Sequence, residues 1–291
     1  MRSWILVPAD KDKALGEAGS SGSDVVVLDM ARAAADDAKL HTRLVARDWL
    51  KSHREQVTRS RRFSRWVRIG PMTSAYWRAD LEAVLEGAPD GILLAECNDT
   101  EELKHLAAAL YELEGSIGIR PNTTRIIPEL GSNPVAALHL RIFAEELHAR
   151  VSGLTWDSAA LARSLGARRV RGPGGLWTDP LAMVRGQVLL AAHAQGLQVI
   201  EAPFRDRRDP DGAMRAFHAA RADGFTGMLA IHPSQVEGIN AAFAPTAEEI
   251  AEAREVIGLF ALSPDRDEVV FRGRHVGRRE LDQARLLADA S

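Results

Sequence analysis

The feature that most constrains the fold of this chain is a repeat of short apolar runs, eight of them, which alternate with helical patterns along most of the chain. The runs are SWILV (Ser3 to Val7), VVVLDM (Val25 to Met30), WVRI (Trp66 to Ile69) and GILLAE (Gly91 to Glu96) in the first half. TRIIPE (Thr124 to Glu129), VSGLTWD (Val151 to Asp157), QVIEAPF (Gln198 to Phe204) and MLAIHP (Met228 to Pro233) follow. Most are continuously apolar, as expected of parallel strands covered on both faces. Helical patterns fill the gaps. The spacing predicts helices over Asp36 to Lys51, with Leu40, Leu44 and Trp49 in phase, and over Asp80 to Leu85. A third runs from Thr100 to Leu113, with Asp99 as N-cap and Glu102 three residues on, and a fourth from Pro134 to His148, with Leu138, Ile142 and Leu147 on one face. Asp179 to Gln195, with Pro180 in its first turn, and Arg215 to Asp223 complete the set. This alternation predicts a (β/α)8 TIM barrel. A doubly wound sheet would show fewer strands and a glycine-rich phosphate turn, and the chain has neither GxGxxG nor GxxxxGK[ST]. The barrel is expected over 1–262. A short C-terminal helical extension over 263–291 is expected to serve as a lid or oligomerisation segment.

Composition removes several alternatives. With 291 residues, 46% of them hydrophobic and 26% charged, the chain suits one large globular domain and not a disordered one. A net charge of -3 with both signs interspersed offers no basic face for nucleic acid or a membrane surface. The single cysteine, Cys97, excludes an internal disulfide framework and a cysteine-rich zinc site. No window approaches eighteen apolar residues and MRSWILVPAD is no signal peptide, so the expected setting is the cytoplasm.

A barrel places its chemistry at the C-terminal ends of its strands. Read in order, those ends carry Pro8 with Asp10, then Asp29, Arg68, Glu96, Glu129, Trp156 with Asp157, Glu201 and His232. Each has two readings. Arg68 can grip a carboxylate bidentately, or form a salt bridge across the mouth to Asp29 or Glu129. Glu129 and Asp157, on neighbouring strands, can share Mg²⁺, a hard cation that takes one or two carboxylates and keeps waters, or be ordinary mouth acids. His232 reads as a structural hydrogen-bonding group at a strand end before it reads as an acid or base. Cys97 reads as a small buried hydrophobe. RSRRF (Arg59 to Phe63) and the glycine-rich RGPGGLW (Arg171 to Trp177) read as a solvated loop and a connector at the mouth.

The residues also resemble a known family. Arg2 to Pro8 resembles an RSxLFVPG opening, Val27-Leu28-Asp29 the first half of an LDLEDAV strand, and Val67-Arg68-Ile69 a VRIN strand. Ala230 to Val236 (AIHPSQV), Ile239-Asn240, Phe243, Pro245-Thr246 and Glu249-Ile250 match a longer motif, and VVFRGRHVGRRELDQARLL resembles the closing segment. These are marks of the citrate lyase beta-subunit group of the HpcH/HpaI aldolase superfamily. The resemblance implies a metal-dependent barrel lyase that cleaves or joins carbon–carbon bonds in small carboxylates or their CoA thioesters, and that assembles as a trimer or hexamer.

It also implies a diverged site. Ala31 and Arg32 stand where relatives read paired acids, Leu94-Ala95-Glu96 where they read LPK, and Gly277 where a tail aspartate is expected. In an ungapped match the metal-binding Glu falls on Gly131 and the metal-binding Asp on Ala160. The expected site is therefore Arg68 as the catalytic carboxylate anchor, with Pro8 and Trp156 lining the substrate. Glu129 and Asp157 are the substitute magnesium ligands, and Asp29 orients metal-bound water. The alternative is a family member without activity that binds a small carboxylate through Arg68 or serves as a protein partner.

Overall fold

The computed structural model describes residues 1–32, 36–55 and 62–289, so Arg59, Ser60 and Arg61 of the basic cluster lie outside the described residues. Eight parallel strands close a barrel in sequence order: β1 (Ser3–Pro8), β2 (Val25–Asp29), β3 (Ser64–Ile69), β4 (Gly91–Cys97), β5 (Arg125–Leu130), β6 (Gly153–Trp156), β7 (Gln198–Glu201) and β8 (Gly227–Ala230). β8 returns to β1, pairing Met228 with Ser3 and Ala230 with Ile5. The barrel helices are α1 (Asp12–Ala18), α2 (Asp36–Ser52), α3 (Trp77–Leu85), α4 (Thr100–Ser116), α5 (Pro134–Leu138), α6 (Ser158–Ser164), α7 (Asp179–Ala194), α8 (Pro210–Ala222) and α9 (Val236–Ala242). The (β/α)8 expectation is met. No helix among the described residues is long and apolar enough to cross a membrane.

Strand periodicity places the site before any loop is considered. Alternate residues point into the barrel, where Trp4, Val25, Val27, Trp66, Leu93, Ile127, Ile200 and Leu229 form a closed apolar plug. Trp4 and Trp66 meet edge-on at 5.1 Å. Gly91 makes room for them, since a Cβ there would lie 2.4 Å from the Trp66 ring. Two residues beyond the plug, on the same inward face, come Asp29 after Val27, Arg68 after Trp66 and Glu129 after Ile127. The second, larger core fills the space between strands and helices.

Three local expectations are corrected. α5 stops at Leu138 and a 3-10 turn over Leu140–Ala144 follows, so the helix expected to reach His148 is broken; Leu138 is 72% exposed, not on an inner face. Along α2, Leu40 and Leu44 face outward at 59% and 42% exposure, while Lys39, Thr42, Ala46, Trp49 and Leu50 are buried. The lysine is tolerated inside because its Nζ donates to Asp80 at 2.7 Å and to the Met30 carbonyl at 2.7 Å. Helices α1 and α6 had no counterpart in the sequence reading.

The chain divides into two compact units, Met1–Phe243 and Ala244–Ser291, a boundary earlier than 262. The reason is the packing of α10 (Ala247–Ala261). Its Ala253, Val256 and Phe260 join Val269, Phe271, Val276, Leu281 and Ala284 in a separate small core. That unit consists of α10, the hairpin β9 (Glu268–Phe271) with β10 (Arg274–Gly277), and α11 (Arg278–Asp289). A capping box opens α10, with the Thr246 hydroxyl accepting from the Glu249 N–H and the Glu249 carboxylate accepting from the Thr246 N–H.

Candidate active site

Arg68, on the last turn of the pleat before β3 ends, stands beside Asp29 in the β2–β3 register. Its Nε and Nη2 donate to the two oxygens of Glu129 at 2.9 and 2.8 Å, and its Nη1 donates to Asp29 at 3.1 Å. The salt-bridge reading of Arg68 therefore holds, and with both named partners. Burial works against the Arg68 charge, but Glu129, Asp29 and Asp157 outweigh it and raise the pKa. For Glu129 the balance falls the other way. Burial raises its pKa, and the nearby Asp157 and Asp29 add to that against the opposing pull of Arg68.

Three donors are in use of the five that a guanidinium carries. That leaves two for an incoming carboxylate. Asp29 is itself fixed by the Ala31 N–H at 3.1 Å, and Arg32 approaches its other oxygen at 3.4 Å. Arg32, one of the replacements relative to the family pattern, thus lands in the site.

Asp157 follows β6 and caps α6, accepting from the N–H groups of Ala159 at 2.8 Å and Ala160 at 3.1 Å. Arg205, beyond β7, reaches the same oxygen at 3.3 Å. Trp156 is buried in the strand–helix core, its ring 5.0 Å from that of Trp177 and its indole N–H donating to Glu201 at 2.8 Å, so it has no free donor for a ligand. Glu201 also accepts from Ala202 N–H and is paired with Arg185.

These groups surround one cavity of about 190 Å³ at the C-terminal end of the barrel, lined by Asp29, Arg68, Glu129, Trp156, Asp157 and Arg205 among others. At ~30 Å³ of liquid volume per water it has room for about six waters or one small organic acid. Pro8 does not line it; Leu6, two residues earlier on the same face of β1, does. Glu96 is at its edge, held at φ 51° where β4 loses register between Leu94 and Cys97. Gly131 lies past the end of β5 at φ 66°, and a Cβ there would lie 2.7 Å from Val184. The acid that β5 aims into the barrel is Glu129. Sequence reasoning missed Arg32, Arg163 and Arg205 as cavity residues, because each sits in a loop or helix whose direction the strand pattern does not set.

His232 is structural, as expected, with its Nδ1 2.8 Å from the Ser234 hydroxyl and accepting from the Ser234 N–H. Cys97 is buried, and burial pushes its thiol well above the ordinary range, with Glu102 and Asp99 adding to the shift, so it carries no nucleophile.

With the geometry in place, the comparisons fit it. Residues 2–233 match the HpcH/HpaI aldolase/citrate lyase family, to which the chain belongs. Within that family it is citrate lyase beta-subunit-like. It is 31% identical to a (3S)-malyl-CoA thioesterase of Cereibacter sphaeroides over 89% of this chain and 82% of that protein. A citrate lyase subunit beta-like protein of Mycobacterium tuberculosis is 26% identical, covering 98% of this chain and 93% of its own. The crystal structure of protein CitE from M. tuberculosis, in complex with magnesium, acetoacetate and coenzyme A, superposes with a TM-score of 0.69 at 26% identity. That match covers 99% of this chain and 97% of that one.

The residues present can be tested against magnesium. Two carboxylates, Glu129 and Asp157, line one cavity, but both Glu129 oxygens accept from Arg68 and one Asp157 oxygen is taken by the α6 cap and Arg205, so a Mg²⁺ there would draw most of its ligands from waters or substrate. No cluster of three or more Asp, Glu, His or Cys suited to a metal exists among the described residues. Any metal there would share the site with Arg68.

Proposed function

We propose that the protein is a carbon–carbon lyase of a small carboxylate or its CoA thioester. In this reading Arg68 anchors the substrate carboxylate, and Glu129 with Asp157 would hold Mg²⁺. The observation that carries the proposal is the charge arithmetic of the mouth. Asp29, Glu96, Glu129 and Asp157 face Arg32, Arg68, Arg163 and Arg205 around the cavity, four charges of each sign. A neutral cleft attracts neither a dication nor a dianion strongly by itself. A divalent cation and a dicarboxylate entering together keep it neutral and gain their own attraction, about 4 kcal/mol per unit-charge pair at 4 Å and an effective dielectric of 20.

Each residue then has a task. The two unspent donors of Arg68 would take the substrate carboxylate, and Asp29, bonded to its Nη1, holds the guanidinium plane. Arg205 is 34% exposed at its side chain, enough to meet the ligand while retaining Asp157. Trp156, held by Glu201 behind the cavity wall, would back the site. When bound, the cation would offset the negative charge that develops as the carbon–carbon bond breaks, typically several kcal/mol. Assembly as a trimer or hexamer belongs to the same proposal.

A second reading, a carboxylate binder without lyase activity, is favoured by two facts. Glu129 already commits both oxygens to Arg68, and Gly277 replaces the expected tail aspartate.

Thermal unfolding separates the two. Mg²⁺ and oxaloacetate are titrated alone and together, on the wild type and on Glu129→Gln. Saturating binding at a hundredfold excess over Kd stabilises the native state by about 2.7 kcal/mol. Stabilisation by the pair beyond either component, lost in Glu129→Gln, supports the lyase. Stabilisation by oxaloacetate with no metal effect leaves the binder. No response to any combination sinks both. A malyl-CoA assay then reads the chemistry: glyoxylate with acetyl-CoA marks carbon–carbon cleavage, and malate with free CoA marks thioester hydrolysis.

A further inference from the structure

A second and larger cavity, of about 980 Å³, opens beside α7 and α8. One wall is the Arg171 to Trp177 segment, which folds back on itself. Arg171 and Trp177 form an antiparallel bridge, and the Gly172 N–H donates to the Leu176 carbonyl at 2.7 Å. Gly174 and Gly175 turn the chain at φ 71° and 79°, a region that favours glycine. The connector read from the sequence is therefore a preformed hairpin-like loop that aims two side chains into the cavity.

Those side chains are Arg171 and Trp177. The Arg171 guanidinium lies 3.7 Å from the centre of the Trp177 ring and 5.6 Å from that of Phe204. It donates to the Gly175 carbonyl at 2.7 Å. No carboxylate of the described residues lies within ion-pair distance of it. The acids on the same walls all have partners. Glu201 is bonded by Arg185, the Trp156 indole and the Ala202 N–H. Asp223 pairs with Arg185 at 2.8 Å, and Asp206 accepts from the Arg208 N–H at 2.9 Å. Asp209 caps α8 through the Gly212 N–H at 2.7 Å and has Arg215 at 3.9 Å.

A half-buried cation without a counter-ion is costly, and stacking on aromatic rings offsets only part of that cost. Burial lowers the Arg171 pKa, Glu201 pulls it up and Arg185 lowers it further. The lining carries four arginines and four acids, so the unmatched charge is local to Arg171, whose surroundings are apolar, with Leu176 75% exposed at the rim.

We infer that this cavity is a second binding site, distinct from the mouth, for an anion carried on an apolar body. Its carboxylate or phosphate group pairs with Arg171, and its ring or chain lies against Trp177, Phe204 and Leu176. Pro203 and Arg205 line both cavities, so an occupant reaches the arginine that pairs with Asp157 at the mouth. The site is thereby placed to report to the mouth, although its existence does not depend on the lyase proposal.

The test is calorimetric titration of the full chain, free of keto acid, with benzoate, phenyl phosphate and inorganic phosphate. Saturable binding of an aryl anion is expected, with inorganic phosphate at least tenfold weaker; the tighter of benzoate and phenyl phosphate identifies the preferred head group. Arg171→Gln should weaken the aryl anion at least tenfold, and Arg68→Lys should change it less than twofold. Leu176→Asp, a change at an exposed position that leaves folding intact, should also weaken it at least tenfold by repulsion. The inference is overturned if neither aryl anion binds saturably, or if Arg171→Gln and Leu176→Asp bind as the wild type does. Loss in Arg68→Lys overturns it as well, by placing the ligand at the mouth.

Discussion

Two buried arginine–glutamate pairs lie near opposite ends of the barrel, and they differ in an instructive way. Near the N-terminal ends of the strands, Arg150 donates to both oxygens of Glu114 at 2.9 and 2.7 Å. At the mouth, Arg68 does the same to Glu129 at 2.9 and 2.8 Å. Glu114 has further donors, the N–H groups of Asn122 at 2.7 Å and Thr124 at 2.9 Å. Burial pushes its pKa up, but Arg150 and those backbone donors prevail and bring it down to about 2. Among the described residues no backbone N–H donates to Glu129, and two acids lie nearby, so burial prevails and its pKa is raised. A pair whose carboxylate is fully supplied with donors is a lock, even though the buried Arg150 Nε has no hydrogen-bond partner. A pair short of donors is a site waiting for a positive or hydrogen-bonding ligand, which is the kind of residue barrels keep at their C-terminal face.

The largest effect should come from breaking the lock. Glu114→Gln leaves Arg150 charged and buried with half its partner, a type of loss worth about 3–5 kcal/mol. Urea denaturation should show it. A loss under about 1 kcal/mol would mean that the pair is not structural. The two acids also oppose each other in pH dependence. Because the folded pKa of Glu114 is depressed, its contribution is complete above the ordinary value of 4.5 and is lost as pH falls toward about 2. Glu129 has a raised folded pKa, so its contribution is favourable at low pH and fades as pH rises above 4.5. Glu129→Gln should therefore gain stability relative to the wild type on going from pH 4.5 to 7. A flat difference between the two proteins across that range would remove the contrast.

Next in size is an attempt to restore the family's acid by Gly131→Glu. At φ 66°, with Val184 2.7 Å from the added Cβ, the residue is strained and crowded. About 1–3 kcal/mol should be lost, with no gain in response to Mg²⁺. Improved metal binding in this variant would show that position 131, and not Glu129, is the barrel's metal corner.

Much of this was legible in the sequence and some was not, for identifiable reasons. The barrel was legible because parallel strands covered on both faces leave continuous apolar runs. The family was legible because its shared residues are structural. Asn240 accepts from the Ser3 hydroxyl at 2.7 Å, and Gln235 bridges the Ile231 N–H and the Phe204 carbonyl at 2.9 and 2.7 Å. Arg68, Glu129 and Asp157 could be named from strand ends. The salt bridge of Arg68 to Asp29 or Glu129 could be named as one of two readings, but not that both form at once with Glu129 gripped through both of its oxygens, which depends on how the curved sheet converges β2, β3 and β5. Lys39 defeated the reading of α2 because a paired buried lysine counts as polar in any apolar pattern. Arg171 and Trp177 were hidden by the glycines between them, which signal a turn without saying that it closes into a bridge.

At the mouth the expected effects shift from stability to ligand response. Arg68→Lys keeps the charge but gives up the planar fork. Oxaloacetate binding should weaken at least tenfold, about 1.4 kcal/mol, read as a lost rise in melting temperature. An unchanged rise would remove Arg68 from the anchor role and with it the proposed orientation of the substrate.

The smallest effect on the fold should be the most diagnostic for function. Asp157 does two things at once, capping α6 through Ala159 and Ala160 and facing Glu129 across the cavity. Asparagine caps a helix about as well as aspartate, so Asp157→Asn should change stability by less than about 0.5 kcal/mol. It nevertheless removes one of the two carboxylates on which the magnesium proposal depends. If the joint stabilisation by Mg²⁺ and oxaloacetate disappears while the unliganded melting temperature stays put, Asp157 is a ligand-site residue that also happens to cap. If the joint response survives and only the melting temperature falls, its oxygen serves the helix alone, and the mouth then resembles the Glu114 lock more than its surroundings suggest.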